Sequence, residues 1–289
     1  MLKIIQTVEN ELHVKENTIC KIHLTCGKEM KVYEIKNVHQ FIQFVGYGKY
    51  INNGKYNVYL RGQTGLFNGT MKPSLYRGDS RIINAFDTYN NKVNSLIESV
   101  NTLKNYPKDI LEPLLQHYGV KTNWLDLVDN MWIALWFACH DASSKVIESR
   151  EYVYFSESNE EYAYIYLIAT DAIEEISEKR GIYKGDTTIS IDLRKGAPSF
   201  FLRPHAQHAI MIRKKDAMSD DYTDLIVGIA KIPMTIAKKW IGNSELLAVN
   251  SLFPAPHFDE GYALLLKDIP LDSKDIVKNI GSIQIVSGD

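Results

Sequence analysis

The chain has 289 residues, 45% of them hydrophobic and 24% charged, with a formal net charge of −2. That composition suits a globular domain able to bury a substantial core, and its slight acidity argues against global attraction to nucleic acid or an anionic membrane. Three cysteines, an odd number, argue against a disulfide framework and for a reducing, cytoplasmic setting.

Glu9 and Glu11 arrive before any long apolar run, which does not read as a signal peptide. No stretch approaches the ~20 uncharged apolar residues that a membrane-spanning helix needs. Residues 1–34 alternate weakly, with Ile19, Cys20, Ile22 and Leu24 leading to a turn at Cys26-Gly27-Lys28, so a small N-terminal β element is expected. Cys20, His23 and Cys26 lack a fourth ligand and the usual short spacing of a zinc site, so no metal is expected. From Val38, the residues Phe41, Ile42 and Val45 follow helical spacing, and Gly46 and Gly48 are expected to end that helix. Asn52-Asn53-Gly54-Lys55 reads as a loop. Val58 to Arg61 then reads as a short strand ending in a sharp turn at Gly62.

Apolar residues mostly three or four apart predict an amphipathic helix over 81–104, and Pro107 opens another through Leu115. Asp129-Asn130 can cap a helix from Met131 to Cys139 that is apolar on every side and belongs at the domain centre. Trp132, Trp136 and Phe137 are read there as packing residues. A charged loop is expected from Ser144 to Glu161. Tyr162–Ala169, Thr187–Leu193, Ala206–Ile212 and Leu225–Ile232 read as strands rich in Ile, Val and Tyr. Pro233 opens a helix that Gly242 ends, and 267–289 returns to short β-like runs. Helices first and strands later, without regular βα alternation, point to an α+β fold with a helix-rich first half on a mainly antiparallel, split β core. The expected organisation is a β element over 1–34, a main domain over 35–266 and a tail over 267–289 packed on that domain.

Two stretches concentrate the chemistry: Tyr59-Leu60-Arg61-Gly62-Gln63, and Gln116-His117-Tyr118-Gly119-Val120-Lys121-Thr122-Asn123-Trp124-Leu125-Asp126. A guanidinium beside a tight turn is a planar cation suited to phosphate or carboxylate, although Arg61 could instead satisfy backbone carbonyls. Ser74 and Arg77 could hold a second anionic group, or Ser74 could shape the turn after Pro73. His117 is either hydrogen-bonded structure or a general acid/base. Asp126 either caps its region or positions another polar group, and Gln207, read as opening a strand, meets a pocket or a backbone partner. No Gly-x-Ser-x-Gly elbow, phosphate loop or dinucleotide fingerprint occurs, and Cys139 lies inside a buried helix where a thiolate is disfavoured.

In order along the chain, these motifs resemble the FRG domain, a bacterial and phage family named for a Phe-Arg-Gly signature. Leu60-Arg61-Gly62-Gln63 stands at the signature, with Leu for Phe, and Pro73-Ser74-Leu75-Tyr76-Arg77 resembles the family's Pro-Ser-Leu-x-Arg. The run from Gln116 to Asp126, with Ala134-Leu135-Trp136-Phe137-Ala138, is similar to the central block. Gln207-His208-Ala209 and Leu252-Phe253-Pro254 are similar to Gln-x-Gly and Leu-Phe-Pro. The resemblance covers roughly residues 35 to 266. Lys121 stands for a usual proline, Asn123-Trp124 for Arg-Leu and Ala209 for glycine.

The resemblance implies a recess for a small anionic ligand or nucleotide, NAD being the candidate, in an ADP-ribosyltransferase-like fold acting in bacterial or phage conflict. Arg61, Gly62, Gln63, Ser74, Arg77, Gln116, Thr122 and Asp126 would bind the ligand, and Gln207 and His117 would be catalytic. Gln207 takes the place of the usual catalytic glutamate, and a neutral amide offers no charge to a developing cation. The alternative is a non-catalytic sensor of a nucleotide or phage component. The sequence names no macromolecular target.

Overall fold

Strand-forming runs of Ile, Val and Tyr assemble into one mainly antiparallel sheet of ten strands, and the helices pack against it in an α+β arrangement. The computed structural model describes residues 1–8, 12, 14–77, 91, 93–95, 97–98, 101, 104, 106–147, 150–216 and 220–268. The helix expected over 81–104 falls mostly outside the described residues, as does the tail expected after 268.

In chain order the first elements are β1 (Thr18–His23), β2 (Glu29–Glu34), α1 (Val38–Asn52), β3 (Asn57–Gln63), α2 (Lys108–His117), β4 (Leu125–Val128) and α3 (Met131–Ala138). There follow β5 (His140–Ile147), β6 (Arg150–Glu157), β7 (Tyr162–Thr170), β8 (Glu174–Glu175), β9 (Ile182–Lys184) and β10 (Thr188–Asp192). The last are α4 (Leu193–Gly196), α5 (Leu202–Ala206), β11 (Ala209–Lys214), β12 (Ile226–Pro233), α6 (Met234–Ile241), α7 (Val249–Leu252) and α8 (Glu260–Asp268). The sheet order is β1-β2-β12-β7-β3-β4-β11-β10-β9-β8. Its neighbours are antiparallel except β12 and β2, which are parallel. The N-terminal strands therefore belong to the same sheet as the later ones.

Several elements differ from the expectations above, each for a local reason. Helix α1 runs through Gly46 and Gly48 to Asn52. A Cβ at Gly48 would overlap the Leu167 side chain, so this glycine lets the helix lie close to β7. The loop expected over 144–161 is largely the β5–β6 hairpin, a separate two-stranded sheet. Polar residues such as Ser143, Ser144 and Lys145 hide its extended conformation from a reading based on apolar alternation. Strand β11 starts at Ala209, because Gln207 closes α5 and His208 turns in the left-handed region at φ 50°.

Other signals hold. Pro107 precedes α2, and the Asn130 side chain caps α3 by accepting from Trp132 N (2.9 Å) and Ile133 N (3.3 Å). Pro233 and Gly242 bracket α6. Helix α3 lies at the centre, with Trp136 1% exposed among Phe137, Phe155 and Phe253. No helix among the described residues is long and apolar enough to cross a membrane.

Candidate functional site

Strand β3 does not end at Arg61. It continues through Gly62 to Gln63, pairing Arg61 with Tyr166, Gly62 with Ile165 and Gln63 with Tyr164 on β7. Gly62 is extended backbone rather than a turn. A Cβ there would overlap the Ala134 carbonyl oxygen, so Gly62 serves the close packing of α3 on β3. The period of two then sends Val58 and Leu60 to the α3 side and Arg61 and Gln63 to the opposite face.

Strands β3 and β4 pair at Leu60 and Val128. One step along, the Arg61 side chain reaches across and donates through Nη1 to the Asp126 carbonyl oxygen. Its Nε is buried with no hydrogen-bond partner. Burial lowers the Arg61 pKa, and Asp126 and Tyr166 oppose that shift. Asp126 is thus a strand residue rather than a helix cap, the cap being Asn130. Its Oδ1 stands 3.5 Å from Nε2 of His117, the last residue of α2. Beyond His117 the chain reverses at Gly119, where φ of 107° requires glycine.

His117 is almost wholly enclosed. Burial, ahead of the opposing attraction of Asp126 and the repulsion of Arg203, lowers its pKa and favours the neutral imidazole. Its carbonyl accepts from Arg203 Nη1 (2.6 Å), and Gln207 hydrogen-bonds the ring. Gln207 in turn donates through Nε2 to the Leu252 carbonyl at 2.8 Å, joining two motifs far apart in the chain. Arg203 is held among the rings of Tyr118 and Tyr262, at 4.7 and 4.8 Å.

Around this chain of contacts, buried polar atoms accumulate without partners among the described residues. They are Arg61 Nε, Gln63 Oε1, Asn123 Oδ1, Trp124 Nε1, Tyr166 OH, and Nε and Nη2 of Arg203, while His117 Nε2 and Asp126 Oδ1 have only each other, at 3.5 Å. A buried polar atom left unpaired costs about 1–3 kcal/mol, so each of these atoms calls for a partner. Polar partners from outside the chain, a bound molecule or solvent, are the physical resolution.

Arg77 adds positive charge. It lies at the surface yet deep enough among its neighbours that burial lowers its pKa, and the like charge of Arg61 lowers it further. Its Nε donates to the Lys72 carbonyl at 2.6 Å. Ser74, Thr122 and Gln116 instead form a local clasp. Ser74 Oγ accepts from Thr122 N at 3.2 Å, and Thr122 Oγ1 donates to Gln116 Oε1. Among the site residues read from the sequence, the structure thus links Arg61, Asp126, His117 and Gln207, leaves Gln63 on Met71 and Arg77 on the Lys72 carbonyl, and gives Ser74, Thr122 and Gln116 bonds to one another.

Tyr166 and Arg203 carry no signal in the sequence, because sheet pairing and the α5 helix bring them in from distant positions. A second feature absent from the sequence reading is a cleft of about 500 Å³ lined by Trp136, His140, Glu157, Lys238 and Leu247. His140 stacks on Trp136 at 4.0 Å, and Lys238 meets Glu157 at 2.9 Å. Among the described residues, no group of three or more His, Cys, Asp or Glu could hold a metal ion.

No curated protein and no solved structure compared with the chain matches it. Residues 56–146 match the family model described as FRG domain, a span that includes Arg61, Arg77, His117 and Asp126. The chain carries an FRG domain.

Proposed function

We propose that this FRG-domain protein binds a small anionic ligand in the recess around Arg61, with NAD the first candidate. We further propose that it acts on that ligand as an ADP-ribosyltransferase-like domain in bacterial or phage conflict. The observation that carries the reading is the cluster of buried, partnerless polar atoms at Tyr166 and Arg61, continued by the Asp126 and His117 pair. Arg61 and Arg77 lie close enough to repel each other, and an anion between them would relieve that repulsion.

The reaction breaks the bond between ribose and nicotinamide, whose electrons leave with nicotinamide. A new bond joins the ribose carbon to water or to a target nucleophile, which gives up a proton. Asp126 is the carboxylate of the recess and supplies the negative charge that Gln207 cannot offer the oxocarbenium-like state. His117, favoured in its neutral form, can accept the proton. Binding without turnover is the second reading, favoured because the Gln207 amide is already committed to the Leu252 carbonyl.

Calorimetric titration with NAD, alongside an assay for released nicotinamide, tests both readings against an Arg61→Ala control. Turnover lost in the variant supports the enzyme. Binding without nicotinamide release supports the sensor. Absence of both, or turnover indifferent to the variant, overturns the site.

A further inference from the structure

The cleft beside Trp136 and His140 shares no lining residue with the cluster around Arg61. Helices α3 and α6 pack together, and both end at this hollow. Trp136 lies in the last turn of α3 with His140 just beyond it, while Lys238 and Ile241 lie in the last turn of α6, which Gly242 closes. The last carbonyls of a helix carry partial negative charge, so two such ends meeting at one cleft favour a cation there.

The side chains add to that sign. Among the charged lining residues Glu157 and Glu245 are acidic and Lys238 is basic. Lys238 Nζ engages Glu157 Oε2 at 2.9 Å, so the lining keeps one net negative charge. His140 contributes an acceptor rather than a charge. Burial lowers its pKa and favours the neutral ring, ahead of the opposing effect of its bond to the Trp136 carbonyl. That carbonyl, 2.8 Å from Nδ1, can only accept, so Nδ1 carries the proton and Nε2 presents a lone pair. Trp136, Ile241, Leu247 and Val249 supply apolar wall. Next to Leu247 in the chain, Leu246 is 82% exposed and offers further apolar contact at the rim.

We propose that this cleft receives an arginine or lysine side chain of a partner polypeptide, its stem along the apolar wall and its charged head at Glu157, Glu245 and His140 Nε2. Long basic side chains divide in this way between an apolar stem and a charged tip. The inference does not rest on the anion-site reading, and the two sites would recognise opposite charges.

Calorimetric titrations of the full chain with end-capped tripeptides Leu-Arg-Leu, Leu-citrulline-Leu and Leu-Glu-Leu, and with agmatine, test it. The arginine peptide should bind, its uncharged citrulline counterpart about threefold or more weaker, and the glutamate peptide not at all. Glu157→Gln combined with Glu245→Gln should weaken the arginine peptide by a similar factor and leave the citrulline peptide unchanged. Lys238→Met, which frees Glu157, should tighten the arginine peptide about twofold or more. Both carboxylates are exposed, so melting temperatures near wild type separate lost recognition from misfolding. Arg61→Ala should leave these affinities unchanged, which keeps this test apart from that of the anion site. Agmatine binding as tightly as the arginine peptide overturns the polypeptide partner. Equal binding of the arginine and glutamate peptides, or binding of neither, overturns the cation site.

Discussion

Gly46 and Gly62 look alike in the sequence but differ in what a methyl group would meet. At Gly62 it would collide with the Ala134 carbonyl oxygen, whereas around the exposed Gly46 of α1 the space is open. Gly62→Ala should destabilise the protein by about 3 kcal/mol or more, since backbone cannot yield as a side chain can. Gly46→Ala should instead stabilise it by about 0.4–1 kcal/mol through helix propensity and a less flexible unfolded chain. Chemical denaturation of the two variants measures both. The arginine of the signature was legible as a cation placed among polar groups, where it bonds the Asp126 carbonyl, but the reason for its glycine was not. A glycine needed for a turn and one needed for close packing are identical until the neighbouring helix is in place.

Histidines make a second residue-scale prediction. Burial lowers the pKa of His117, His140 and His208 below the ordinary 6.5. Below pH 6.5 the unfolded chain binds protons at these positions that the folded chain refuses, so stability rises with pH across that window. The contribution is complete above the unfolded pKa and is lost as pH falls toward the folded values. Melting temperatures should drop from pH 7 to pH 5, and His117→Asn should flatten the slope. An unchanged slope in that variant would show that His117 titrates as it does unfolded.

At the scale of elements, those with chemical punctuation were readable. Pro107, Asn130 and the pair Pro233 and Gly242 each mark a helix boundary that the structure keeps. Asn130→Ala should cost about 1 kcal/mol, because two N–H groups at the start of α3 lose their acceptor. Thermal melts read this directly, and Asn130→Asp should recover most of the loss. Elements without such marks were misread. The β5–β6 hairpin pairs residue by residue from His140↔Glu157 to Ile147↔Arg150, yet β5 is largely polar and Tyr152-Val153-Tyr154-Phe155 in β6 form a continuous run, so neither strand shows apolar alternation. Gln207 was read as a strand start because the apolar run after it is a strand, while the short α5 before it has too few turns to show a helical period.

For the whole molecule, sheet order decides what the sequence could not show. Pairing of β3 with β7 sets Tyr166 opposite Arg61, and β4 carries Asp126 to the end of α2. Residues from the matched FRG segment thus meet Tyr166, Arg203 and Gln207, which lie beyond it. Contacts between distant strands have no sequence period, so Tyr166 and Arg203 were not legible as neighbours of Arg61 and His117, which short motifs mark. Energetics also belong to this scale, since buried polar atoms without partners among the described residues call for solvent or, as proposed, a polar guest.

A crystal structure after soaking with ADP-ribose tests that claim most directly. The expected result is a phosphate oxygen within hydrogen-bonding distance of Arg61 Nε and Tyr166 OH. Ligand density confined to the cleft beside His140 and Lys238, with the Arg61 region unchanged, would contradict it.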